Sequence, residues 1–107
     1  RFPPTHLILQ WLCRYLNLLR LFKVVGISML PTYKPNDYLV CLKTKNINVN
    51  DVIVMETNDL GKVVKRVKSI SGNSLKILGD NKSYHSPIYD VTHYLDAVIG
   101  RVIFKLF

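Results

Sequence analysis

The sequence predicts a mainly β domain, a compact antiparallel β-fold with an amphipathic helix at its N-terminus. Three observations carry this. From Val24 onward, short β-like runs alternate with turn residues at the spacing of a small barrel or sandwich. Gly72-Asn73 sits between two such runs as a hairpin signal. Before Val24 the period changes: His6 to Phe22 holds no Gly, Pro or acidic residue, and its apolar residues recur at helical spacing.

The helix is expected over residues 7–22, with Thr5 after Pro3-Pro4 as its N-cap. Leu7, Ile8, Trp11, Leu12, Tyr15, Leu18, Leu19 and Phe22 form a wide apolar face. Gln10, Arg14, Asn17 and Arg20 form a narrow opposite stripe. The two arginines argue against a spanning helix, which needs about 20 mostly uncharged residues. Two placements remain open, in a membrane interface or packed on its own domain. No small-residue cleavage site follows, which argues against a secretory signal peptide. Strands are expected at Tyr38–Lys43, Asp51–Thr57, Lys62–Ser71, Ser74–Leu78 and Val98–Phe107, with Asn58-Asp59-Leu60-Gly61 as the turn before the third.

The 107 residues make one domain or a domain with a short appendage, divided as 1–23 and 24–107. An apolar share of 49% excludes wholesale disorder. Cys13 and Cys41 allow at most one bridge, which excludes a disulfide scaffold. Lys and Arg number 15 against 7 acidic residues, a net charge of +8. Such a balance suits nucleic acid, an anionic membrane or plain solubility, so motifs must decide. The chain begins at Arg1, so it reads as a fragment or a processed form.

The densest motif is Gly26-Ile27-Ser28-Met29-Leu30-Pro31-Thr32, followed by Asn36-Asp37. Downstream lie Val64-Lys65-Arg66-Val67, Gly79-Asp80-Asn81 and Gly100-Arg101-Val102. A Ser hydroxyl is a weak nucleophile until a base takes its proton. His6, His85 and His93 are possible bases, and Lys65 is another. An ordinary lysine, with a pKa of about 10.4, is a proton donor at neutral pH. Burial can lower that value by roughly 3–5 units, and Val63, Val64 and Val67 supply an apolar neighbourhood. The Ser28 N–H is the natural first donor to an oxyanion.

Taken in order, these boxes resemble those of the type I signal peptidase family of Ser–Lys serine proteases, in the clan shared with LexA-type repressors. The shortness of the chain makes it most similar to minimal members such as the nickel superoxide dismutase maturation proteases. The resemblance implies Ser28 as nucleophile and Lys65 as general base, with no metal or cofactor. It implies Gly26, Ser28, Met29 and Leu30 around the oxyanion and substrate pocket, and an Arg66–Asp80 ion pair beside the lysine. It implies cleavage of a precursor or signal peptide after small side chains, at a membrane surface met through residues 7–22 and on its extracytoplasmic side. The alternatives it leaves are a dedicated maturation protease, cytoplasmic in that case, and a catalytically degenerate binding module.

The sequence departs from the family pattern at three places. Gly26 stands where many signal peptidases carry a hydroxyl, and Asn36-Asp37 replaces Gly-Asp. After Asn81, where the family carries Ser-x-Asp-Ser-Arg, this chain has His85-Ser86-Pro87-Ile88-Tyr89. The orienting hydroxyl of the lysine is then expected from Ser83 or Ser86, or its role from His85. Self-cleavage needs an upstream Ala-Gly or Cys-Gly, and neither dipeptide occurs here. A nucleic-acid-binding barrel would interleave aromatics with Lys and Arg on strands. Tyr33, Tyr38, Tyr84, Tyr89 and Tyr94 fall mostly in loops instead, so no nucleic-acid partner is expected.

Overall fold

β3, spanning Val52–Thr57, sits at the centre of the sheet, and its first four residues are all buried. An unbroken run of buried apolar residues means that both faces of the strand are covered. A computed structural model, which describes residues 17–106, arranges seven strands in one antiparallel sheet ordered β1-β2-β7-β3-β4-β5-β6. The others are β1 (Leu19–Lys23), β2 (Tyr38–Leu42), β4 (Gly61–Ser71), β5 (Ser74–Leu78), β6 (His93–Tyr94) and β7 (Val98–Lys105). Five lie within a residue or two of the expected runs. β4 and β5 form the hairpin across Gly72-Asn73, closing on the pair Ser71–Ser74.

The expected helix needs correction at its C-terminal end. Leu19–Lys23 is a strand, paired residue for residue with β2 from Leu19–Leu42 to Lys23–Tyr38. Leu19 and Phe22 fit a helical stripe, but backbone bonds to β2 override that weak preference. Asn17 and Leu18, just before this strand, are helical, and the rest of the expected helix, with Thr5 and Trp11, lies outside the described residues. Among the described residues no helix is long and apolar enough to cross a membrane.

Three register shifts shape the sheet: one in the β2–β7 pairing, one in β3–β7 and one in β4–β5 between Val67 and Ser69. Extra residues at such shifts bend a strand and increase its twist. One face packs a core of Ile53, Met55, Val67, Leu75, Ile77 and Val98, joined by Ile47 and Tyr89. β4 alternates through this core. Val67 is fully buried, and two residues earlier on the same face Lys65 is 6% exposed. Strand periodicity therefore drives a lysine into the apolar interior.

Candidate active site

Ser28 lies in the loop between β1 and β2, whose base is closed by two main-chain bonds. Val24 N–H donates to the Asp37 carbonyl and Asn36 N–H to the Val24 carbonyl, both at 2.8 Å. Asn36 has φ of 74°, the left-handed region that Asn tolerates better than most residues. That conformation explains how Asn-Asp serves where Gly-Asp is usual. The Asp37 carboxylate caps the turn by accepting from Lys34 N–H at 2.8 Å. Gly26 sits at φ 83°, so a hydroxyl-bearing side chain there would be strained. Met29, only 1% exposed, anchors the loop.

The Gly79-Asp80-Asn81 turn grips this loop from the far side. Asn81 N–H donates to the Ser28 carbonyl at 2.9 Å, and Asn81 Nδ2 to the Ile27 carbonyl at 3.0 Å. A Cβ at Gly79 would collide with the Ser28 carbonyl oxygen and the Tyr89 hydroxyl, so only glycine allows this approach. Asp80 accepts from Arg66 Nε and Nη2, each at 2.7 Å, and from Thr32 Oγ1 at 2.5 Å. Arg66 Nη1 donates to the Asn50 carbonyl at 2.6 Å. One carboxylate thus ties together the first three boxes. The Arg66 hydrogen bonds hold the Asp80 carboxyl below its usual range, and Asp80 in turn raises the guanidinium.

Lys65 Nζ meets Ser28 Oγ at 2.5 Å. Residues 37 apart in sequence meet because β4 carries the amine inward while the Gly79–Asn81 turn holds the loop above it. Burial pushes the amine below the ordinary lysine value, since low-dielectric surroundings disfavour the charged form. The Tyr89 ring, 5.5 Å from Nζ, attracts an ammonium and opposes the shift. Desolvation prevails. A hydroxyl against a desolvated amine can transfer its proton and become a nucleophile.

A groove of about 330 Å³ opens beside the pair. Val24 to Met29 wall one side, Lys62 to Lys65 the other, and Tyr84 closes part of the rim. Met29 lines it and Leu30 does not. β5 pairs with β4 only from Arg66 onward, so the Lys62–Lys65 stretch presents a backbone edge to the groove.

The Peptidase S24-like family model matches residues 9–103, which include every box described above. The chain belongs to the Peptidase S24-like family. No curated protein sequence matches it. The match supports the LexA-like clan and does not extend to the type I signal peptidases that the boxes resemble. S24-like proteins are typically serine peptidases, which makes peptidase the coarse description of this chain.

The supports expected around the lysine fall elsewhere in this S24-like chain. His85 Nε2 pairs with Asp90 Oδ2 at 2.9 Å, both side chains largely exposed. Ser83 uses its N–H on Asn81 Oδ1, and its side chain is exposed. Ser86 is buried as the residue before the one-turn helix Pro87–Tyr89, whose first turn it does not cap with its hydroxyl. Among the described residues, Ser28 Oγ is the one hydrogen-bond partner of Lys65 Nζ. Two residues escaped the sequence reading. They are the Asn81 side chain, to which the sequence assigns no role, and Tyr89, which stands where the family pattern has arginine. The Gly-Asp-Asn spacing could have pointed to the first, but nothing local pointed to the second. No group of three or more His, Cys, Asp or Glu side chains converges on a metal site among the described residues.

Proposed function

We propose that this chain is a serine endopeptidase that cuts an extended peptide in trans with a Ser28–Lys65 dyad. The observation that carries the reading is the 2.5 Å contact between Ser28 Oγ and a lysine amine on a residue 6% exposed. Neutral Lys65 takes the Ser28 proton as Oγ bonds to the scissile carbonyl carbon. The resulting oxyanion faces the Ser28 N–H, which has no partner among the described residues. Collapse of this intermediate breaks the C–N bond, and the Lys65 ammonium protonates the departing amine. Water then attacks the Ser28 ester, with Lys65 again accepting a proton and returning it to Ser28.

The substrate pairs as an added strand along the Lys62–Lys65 edge, with small side chains before the cut, as the signal peptidase resemblance implies. The natural substrate is a precursor or signal peptide presented at a membrane surface, on the extracytoplasmic side. Val25 and Ile27, exposed at 88% and 49%, support that surface, because both line the groove. Ser28→Ala, Lys65→Ala and Lys65→Arg each abolish cleavage of an internally quenched Ala-x-Ala peptide while leaving the fold intact; Arg fails because guanidinium stays charged. Substantial activity in any of the three overturns the dyad. Inactivity of the wild-type chain itself would favour a degenerate binding module.

A further inference from the structure

The buried hydroxyl of Tyr89 has no fold-level explanation. Tyr89 is 8% exposed and belongs to the hydrophobic core. Its ring stands 5.5 Å from Lys65 Nζ and edge-on to His85 at 5.4 Å. Its hydroxyl is the single buried side-chain polar atom without a hydrogen-bond partner among the described residues. A phenylalanine would fill the same space without leaving a desolvated donor unsatisfied, which is costly.

The hydroxyl points at the reacting serine. It lies beside the Ser28 side chain and the Gly79 main chain, although neither contact has hydrogen-bond geometry at rest. A Cβ on Gly79 would strike this hydroxyl and the Ser28 carbonyl oxygen together, which fixes all three groups in one small space. Meanwhile Ser28 Oγ is occupied by Lys65. Contacts of this kind often tighten only when substrate is bound.

Resting on the dyad reading, we propose that Tyr89 is a positioning residue: its hydroxyl donates to Ser28 Oγ as that oxygen turns to the substrate and passes its proton to Lys65, while its ring keeps water from the amine. Burial raises the phenol above its ordinary value, so it stays protonated and able to donate across the working range. Tyr89 thereby brings a hydroxyl to the serine of the dyad, not to the lysine that Ser83, Ser86 or His85 was expected to orient.

The test compares the wild-type chain, Ser28→Ala, Tyr89→Phe and Tyr89→Ala on an internally quenched Ala-x-Ala peptide. Tyr89→Phe is expected to lose about tenfold or more in kcat, the effect of one lost hydrogen bond to an oxygen that gains charge. Its KM and its pH–rate ionisation should hold, because the ring remains, and its Tm should be equal or higher. Tyr89→Ala should move the ionisation upward toward the ordinary lysine value. Unchanged kcat in Tyr89→Phe overturns the proposal, as does a parallel fall of kcat and Tm, which would mark a structural role. If the wild type shows no Ser28-dependent cleavage, the dyad reading fails and takes this proposal with it. An active wild type with an equally active Tyr89→Phe sinks the Tyr89 role alone.

Discussion

Removing the Asp80 carboxylate should destabilise the domain far more than removing an exposed acid. Exposed ion pairs contribute about 0–1 kcal/mol, and breaking a fully buried pair costs about 3–5 kcal/mol. The side chains of Arg66 and Asp80 are 29% and 14% exposed, so the pair lies between these limits and nearer the buried one. Asp80→Ala also strips Thr32 of its acceptor and leaves Arg66 with the Asn50 carbonyl. A loss of about 2–3 kcal/mol follows, or roughly 10–20 °C in Tm for a domain of this size. Arg66→Ala should cost a similar amount. Arg66→Ala/Asp80→Ala should cost less than the sum by about 1–2 kcal/mol, because no lone desolvated charge remains. Urea denaturation of the four proteins measures the cycle. Asp80 is held below the usual carboxylate range, so its stabilisation is fully present above the unfolded value of about 3.9. It is lost as pH falls through the native value, and the gap between wild type and Asp80→Ala should close there. Additivity within about 0.5 kcal/mol, or a gap independent of pH, would show that the two residues do not act as a pair.

Lys65 titrates lower in the folded chain than in the unfolded one, so between those two values the unfolded state binds more protons. Wild-type stability should therefore rise with pH across that window relative to Lys65→Met, and parallel denaturation curves at several pH values would refute this. Gly79→Ala should cost about 1–3 kcal/mol and most of the activity, because the obstructing Ser28 carbonyl is main chain that cannot step aside; thermal melts and peptide cleavage check both. The chain should float with anionic liposomes through its N-terminal apolar segment. Equal binding after removal of residues 1–16, which leaves β1 in place, would move the contact to the sheet, and no binding by either form would refute it.

Strands whose residues alternate and whose ends carry turn residues were legible in the sequence. β5 matched residue for residue because Gly72-Asn73 leaves little freedom in the hairpin register. β1 was not legible, because Leu18, Leu19 and Phe22 satisfy a helical spacing while the pairing that decides the matter comes from β2. The two residues of β6 are too few to show a period. Ser28, Lys65 and the Arg66–Asp80 pair could be read because each sits in a local box of fixed spacing. Tyr89 could not, because its place over the amine depends on how the Pro87–Tyr89 turn packs against β5 and the core. His85 was expected near the lysine and instead finds Asp90 five residues on, a short-range partner that closes more easily than a distant one.

The pH dependence of single-turnover peptide cleavage tests the central claim most directly, because it reports the group that activates Ser28 during acylation. The burial of Lys65 requires the rate to rise with pH through one ionisation below the ordinary lysine value of about 10.4, with no cleavage at any pH in Ser28→Ala. An ionisation at the ordinary lysine value, or cleavage that survives the loss of Ser28, would contradict the account.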